Sequence, residues 1–455
     1  MTTESPTSSG AQSELGATIR LAIPVVLVQL GFMLMGVVDT LMVGRLSAQA
    51  LAAVAIGNLY FFNVSIFGTG TLMALDPIIA QAAGAGDDET VARSVQRGLI
   101  LSVGLSVLTA ALLAPATGVL RYLHQPAEII PATSDYVRIS IVGVAPYFAY
   151  VVLRQSLQAL HRVAPIVVTV VIANIANAFF NWVFVYGHLG SQPLGVAGSA
   201  IATSIGRWLM FVILLMIAWR DIRPHVTPVR EGILAWPPLR RMLAIGAPIG
   251  AQQALEAGAF GAIGLLMGLI GTTAVAAHQI AITLAAFTFM VPLGVGSAAA
   301  VRVGHAIGAG DHLRAKAAIR AAYLAGVGFM TLTALAFLGA PRLLSRAFTT
   351  DTAVVDLAAT LIPIAGFFQV FDGGQAVGAG VLRGAGDTTA PLVVMLTGYW
   401  LIGVPVSAYL GFRTSLGPAG LWWGFVISLA AVAAFLNLRI RRVFARDVER
   451  VLVAE

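Results

Sequence analysis

The chain has 455 residues, 58% of them hydrophobic and only 10% charged, with no cysteine and a net charge of +7; its mean hydropathy is +0.89. Soluble domains carry about 25% charged residues, so this is the composition of an integral membrane protein. Its long apolar runs match α-helices needing roughly 20 residues to cross a bilayer, which excludes a β-barrel of short alternating strands, and the missing cysteines exclude disulfides, thiol catalysis and thiolate metal sites.

The first fifteen residues, MTTESPTSSGAQSEL, are polar and lack the basic start and short apolar core of a cleavable signal. They are expected to form a disordered cytoplasmic tail over 1–15. Apolar segments then centre near residues 30, 63, 105, 144, 175 and 208, and a second six near 257, 287, 329, 365, 400 and 430. Twelve spans put both termini on one side. Twenty of the 27 basic residues fall at the N-terminal end, in the even-to-odd loops and at the C-terminal end, six in the opposite loops, and Arg207 within a span. The excess of positive charge marks the cytoplasmic side, so both ends are expected there. The basic balance then reflects topology and calls for no nucleic-acid partner.

The two halves resemble each other. LAAVAIG at 51–57 aligns with VAAHQIA at 275–281, and QAAGAGD at 81–87 with HAIGAGD at 305–311; the same offset carries Pro24 to Pro248 and Gly44 to Gly268. Further on, APIVV at 164–168 matches APLVV at 390–394, and LGVAG at 194–198 matches LGPAG at 416–420. An even number of helices per repeat brings both halves in from the same side. The expected organisation is therefore an all-α polytopic membrane protein of twelve transmembrane helices in two pseudo-symmetric six-helix lobes. The N-terminal lobe is expected over 16–219, a charged, Pro-rich cytoplasmic linker over 220–241, the C-terminal lobe over 242–440 and a basic tail over 441–455. Such repeats place substrate and coupling-ion sites near the midplane and work by alternating access.

Four carboxylates fall within spans: Asp39, Asp76, Glu256 and Asp372. An acid in hydrocarbon is costly and usually faces a cavity. Withdrawn from water, a carboxylate can exchange a proton near neutral pH, and with neutral oxygen ligands it suits a hard cation such as Na⁺. The competing reading is an acid that packs helices together, which for Asp76, beside Pro77, stands level with the functional one. ANIANAFFNW supplies Asn174, Asn177 and Asn181, the last two four apart and on one helix face. Their spacing alone fits a cation site and interhelical hydrogen bonding equally well. Pro24 and Pro248 sit inside the first helix of each half and mark points where those helices can bend. Phe32, Met33, Met35, Tyr60, Phe61 and Phe62 suit an adaptable apolar lining or lipid-facing packing. His278 and Arg207 are expected to satisfy local hydrogen bonds. No phosphate loop, metalloprotease motif or nucleophile elbow occurs, so any coupling is expected to be to an ion gradient.

Several segments, PVVLVQLGFMLMGVVDTLMVGRL, AHQIA, NWVFVYG at 181–187 and LRGAGDTTAP at 382–391, resemble the multidrug and toxic compound extrusion (MATE) transporters, specifically the NorM-type bacterial branch. The resemblance covers the chain after the polar tail. It implies the two-lobe MATE fold, a multi-pass protein of the bacterial inner membrane with no enzymatic activity, no cofactor and no nucleic-acid partner, and a monomer among lipids. It implies export of amphipathic, often cationic, drugs and toxic organic cations against inward H⁺ or Na⁺. By position, Asp39 matches the family's acid on the first helix, and Asn177, Asn181 and Thr203 match its partners, a set able to hold Na⁺. Glu256 and Asp372 match the cation- or substrate-binding acids of the C-terminal lobe, and Pro24 the helix-bending position. Sodium-coupled relatives can carry a tyrosine one turn before the second acid, where this chain has Phe368. The rival from the same superfamily, a lipid-linked precursor or polysaccharide flippase, calls for a basic cavity, whereas the mid-span charges here are acidic apart from Arg207.

Overall fold

The computed structural model describes residues 7–451, with side chains from Glu14 onward. Among the described residues every regular element is helical. In chain order these are α1 (Thr7–Gly44), α2 (Ala48–Gly84), α3 (Asp88–Leu113), α4 (Ile130–Ile141 continuing as Val144–Ala159), α5 (Ala164–Tyr186), α6 (Gly195–Ile217), α7 (Trp236–Ile270), α8 (Thr272–Gly308), α9 (His312–Gly339), α10 (Thr352–Gly384), α11 (Thr389–Phe412) and α12 (Pro418–Val443). Eleven are long and apolar enough to cross a membrane, and α4 makes the twelfth through a 51° bend. Each apolar segment read from the sequence falls in one of them, so the chain is an all-α polytopic membrane protein. The centre expected near residue 144 lies on the α4 bend, beside Val142 and Gly143. The helix α1 begins at Thr7 and takes in part of the expected tail; residues 1–6 lie outside the described residues, as do 452–455 of the expected basic tail.

One short motif sets three helix ends. GAGD occurs at 84–87, 308–311 and 384–387. Its second glycine adopts a left-handed conformation each time, with φ of 71°, 68° and 78° at Gly86, Gly310 and Gly386, which glycine reaches without a Cβ clash. The backbone N–H of the aspartate then reaches back to the helix just ended, to Ala82, Ala306 and Leu382 respectively. Asp87 and Asp311 go on to cap the next helix, accepting from Thr90 N at 3.0 Å and Arg314 N at 2.9 Å.

Large apolar side chains such as Leu27, Leu41, Val107, Leu265 and Leu335 are exposed on the helix surfaces, while polar ones such as Ser156, Thr169, Asn177 and Gln155 are buried. That is the arrangement a lipid solvent favours, because backbone and polar groups must be satisfied within the protein. Small residues let helices touch backbone to backbone. A Cβ on Gly380 of α10 would stand 2.1 Å from the carbonyl oxygen of Gly296 on α8.

The chain packs as two compact units. Of the described residues, one takes those up to Val26, Gly84–Gly86 and those from Ala251; the other takes Leu27–Ala83 and Asp87–Gly250. The helix α1 therefore changes unit two residues after Pro24, and α7 two residues after Pro248. The expected lobe limits of 16–219 and 242–440 place no division at either of these points.

Candidate functional site

In the unit that holds Leu27–Ala83, α1 is pinned against α5. A Cβ on Gly31 would meet Val170 Cγ1 at 2.3 Å, so only glycine permits this approach, and Tyr186 donates its hydroxyl to the Met42 carbonyl at 2.7 Å. Between these two contacts lies Asp39, 2% exposed. Asn181 Nδ2 on α5 donates to Asp39 Oδ1 at 2.7 Å, and Thr203 Oγ1 on α6 reaches Asp39 Oδ2 at 3.0 Å. Both donors are neutral. Asn181 Nδ2 also donates to the Asn177 carbonyl at 3.0 Å, which fixes its rotamer. The Asn177 side chain is fully buried on the same face; its amide lies in electrostatic reach of Asp39 without a complete hydrogen bond of its own.

Two details give this cluster chemistry. The single hydroxyl proton of Thr203 has two acceptors, Asp39 Oδ2 and the Ser199 carbonyl at 2.9 Å. It can thus serve a charged Asp39, or turn to Ser199 when Asp39 holds a proton or cation. Asn177 Oδ1 and Asn181 Oδ1 are buried with no hydrogen bond. Two free amide oxygens beside a carboxylate are hard-cation ligands. The four residues singled out by sequence, Asp39, Asn177, Asn181 and Thr203, are therefore brought together.

Around them stand Tyr136, which sequence reading missed, and Arg207. Tyr136 of α4 is completely buried and donates to Asn58 Oδ1 of α2 at 2.8 Å. Arg207, one turn after Thr203 on α6, lays its guanidinium 3.6 Å over the Phe61 ring and reaches the Ser140 carbonyl at 3.4 Å. Both feel the charge of Asp39. Arg207 was expected only to satisfy local bonds; it also balances this acid at a distance and fills the space that Gly143 leaves at the α4 bend. Of the aromatic residues noted near the start, Phe61 faces inward beneath Arg207, Phe62 is exposed and Tyr60 donates to the Leu112 carbonyl at 2.7 Å. Asp76 lies apart, buried in the first turn of the second half of α2, where the positive end of the helix favours a carboxylate.

The other unit holds the second acid pair. Glu256 of α7 accepts from Gln375 Nε2 of α10 at 3.3 Å. Asp372, 3% exposed and one turn before Gln375, feels the charge of Glu256, and its Oδ1 has no hydrogen bond. Phe368, one turn earlier still, packs among Phe260, Trp422 and Phe425 with ring centroids 5.5–5.9 Å away. No hydroxyl comes from that position. His278, expected to satisfy local hydrogen bonds, instead packs its ring 5.6 Å from Trp422 with Nδ1 unpartnered. Among the described residues no group of three or more His, Asp or Glu side chains could hold a metal ion. Any cation at either acid cluster would thus rely on neutral oxygens.

The MatE family profile matches residues 24–183 and again 248–409. The two matches begin at Pro24 and Pro248, the pair that the internal repeat equates. The chain is 38% identical over 441 residues to the probable multidrug resistance protein NorM of Mesorhizobium japonicum, covering 94% of each. It is 34% identical over 440 residues to the multidrug resistance protein MdtK of Edwardsiella ictaluri, covering 94% of this chain and 95% of that one. Among solved structures, the eukaryotic MATE transporter AtDTX14 superposes with a TM-score of 0.86 at 22% identity, over 95% of this chain and 96% of that one. The protein thus belongs to the MatE family of membrane transporters, on its NorM-type bacterial branch.

Proposed function

We propose that the protein is a multidrug efflux antiporter of the bacterial inner membrane, with both termini cytoplasmic. It exports amphipathic, often cationic, compounds in exchange for inward H⁺ or Na⁺ by alternating access, working as a monomer. The names of its relatives, multidrug resistance proteins, support the substrate class. The observation that carries the coupling is the double neutral anchoring of Asp39 by Asn181 and Thr203. A structural carboxylate would gain more from a close ion pair. One held by an amide and a rotatable hydroxyl is left able to take up a cation.

The exchange follows from linkage. With Asp39 charged, its two oxygens tie α1 to α5 and α6. A proton or Na⁺ removes acceptor capacity, Thr203 turns to Ser199, and α1 is released on one side, bending near Pro24. For transport the ion and the drug must favour different conformations; an ion bound equally in both would shift nothing. Glu256 and Asp372 serve as the second cation- or drug-binding centre. The acidic character of these buried clusters favours cationic cargo over the anionic lipid phosphates of a flippase.

Expression in a bacterium lacking its own efflux pumps tests the reading. The wild-type chain should lower accumulation of a cationic dye and raise the inhibitory concentration of cationic drugs. The Asp39→Asn variant, present in the membrane at equal level, should do neither. Full resistance from that variant would overturn the proposal.

A further inference from the structure

The acid pair of the second unit lacks a hydroxyl at Phe368, yet one arrives from another helix. Tyr399 lies on α11 inside a π-helical stretch, Leu396–Gly403, where the N–H of Val404 bonds to the carbonyl of Tyr399, five residues back. Such widened turns cost regular hydrogen bonding and often mark functional positions. Here α12 secures it: Ser428 donates its hydroxyl to the Gly398 carbonyl at 2.7 Å. A Cβ on Gly398 would stand 2.2 Å from Val432 Cγ2, and one on Gly403 2.5 Å from Ser428 Oγ. These two glycines let the widened turn sit flush against α12.

The turn aims its face at the acids. Trp400 donates its indole N–H to the carbonyl of Leu255, the residue before Glu256, at 3.0 Å. Met395, one turn before Tyr399, places its sulfur 3.8 Å from Gln375 Nε2, the same nitrogen that holds Glu256. Tyr399 is completely buried, its ring 5.7 Å from Phe425, and its hydroxyl has no hydrogen bond. It lies in electrostatic reach of both Glu256 and Asp372. Asp372 Oδ1 and Gln375 Oε1 are likewise buried and unpartnered. One donor and two acceptors without partners, gathered around two acids, describe a site built for something further.

We propose that the Tyr399 hydroxyl is the third member of the Glu256–Asp372 centre, donating to whichever carboxylate is charged and so governing when this centre gives up its proton to cationic cargo. The inference rests on the antiport reading. A hydrogen bond to a charged acceptor is about twice as strong as one to a neutral group, so the phenol favours the charged, drug-accepting state. The ionisable groups facing it are Glu256 from α7 and Asp372 from α10; α12 presents the ring of Phe425, and His278 of α8 faces Trp422 instead.

The test is dye binding to purified protein against pH, followed by fluorescence polarisation of a cationic rhodamine, for wild type and Tyr399→Phe. The variant keeps the ring on Phe425 and removes only the hydroxyl. Binding should weaken on acidification in both, with the midpoint of the variant moved up by about one pH unit, a tenfold change in proton concentration. In the Glu256→Gln/Asp372→Asn background, where no charged acceptor is left for the phenol, the same substitution should move it by well under half that amount. Superimposed profiles, or equal shifts in both backgrounds, would overturn the assignment. Gradient-driven dye transport by the wild type in liposomes separates the two failures: its absence sinks the antiport reading, whereas its presence with superimposed profiles sinks only the role of Tyr399.

Discussion

Asn181 and Asp39 form the shortest polar contact of the first acid cluster, 2.7 Å from amide nitrogen to carboxylate oxygen, and Asn181 is oriented for it by the Asn177 carbonyl. The bond joins α5 to α1 across fully buried surface. Replacing Asn181 with leucine would leave Asp39 Oδ1 unsatisfied at a cost of about 1–3 kcal/mol. Asn181→Leu should therefore lower the melting temperature in detergent and abolish dye efflux. Asn181→Gln should retain the fold and lose most transport, since its longer side chain misplaces the amide.

Thr203 offers a sharper separation of roles. Thr203→Ser keeps the hydroxyl with both of its acceptors, Asp39 and Ser199, and should transport like the wild type. Thr203→Val keeps the shape without the donor and should cut the dye efflux rate by about tenfold, equivalent to about 1.4 kcal/mol. Efflux rates from preloaded cells measure both. Equal rates for serine and valine variants would mean that the hydroxyl has no part in coupling.

Much of this was legible in the sequence, for identifiable reasons. A carboxylate in an apolar run stands out, and asparagines four apart share a face, so Asp39, Asn177 and Asn181 could be found from spacing; Thr203 came through the family resemblance. GAGD signals the helix ends because a left-handed glycine and a capping aspartate have few substitutes. Tyr136, Gln375 and Tyr399 were not legible. Helices apolar on every side carry no clear amphipathic period to tell inward from outward positions, and the π-helical stretch of α11 rotates Tyr399 off any regular spacing. The unit boundaries within α1 and α7 were hidden for a related reason: an uninterrupted apolar helix gives no sign of where its packing partners change.

Close helix contact in the second unit predicts a purely structural effect. Gly380→Val would drive a side chain into the Gly296 carbonyl, from which even a Cβ would be only 2.1 Å away. Overpacking of this kind costs about 1–3 kcal/mol. The variant should show a lower melting temperature and lower yield from the membrane. Gly36→Val, at a position open to its surroundings, should show little change.

The connector after α6 carries a pH dependence of its own. Gln96 of α3 holds it by donating to the carbonyls of His225, Val226 and Pro228 and accepting from Arg230 N. Burial pushes the His225 imidazole below its ordinary value of 6.5, with the nearby Asp88 charge opposing the shift. A group that resists protonation when folded loses stability as pH falls through 6.5, because the unfolded chain then binds the proton more readily. The protection of the backbone amides within 225–230, corrected for the intrinsic exchange rate, should therefore fall as the pH is lowered below 6.5. His225→Gln should flatten the response; an unchanged pH dependence in that variant would assign it to another group.

The account depends most on Asp39 as a coupling carboxylate. The direct measurement is uphill movement of a fluorescent cationic drug in liposomes of purified protein, under H⁺ and Na⁺ gradients imposed separately. Wild type should concentrate the drug against its gradient with one or both ions, and Asp39→Asn with neither. Sodium as the driver would engage the free amide oxygens of Asn177 and Asn181; protons as the driver would engage the carboxylate and the turning hydroxyl of Thr203. Uphill transport that survives in Asp39→Asn, or no uphill transport by the wild type under either gradient, would contradict the account.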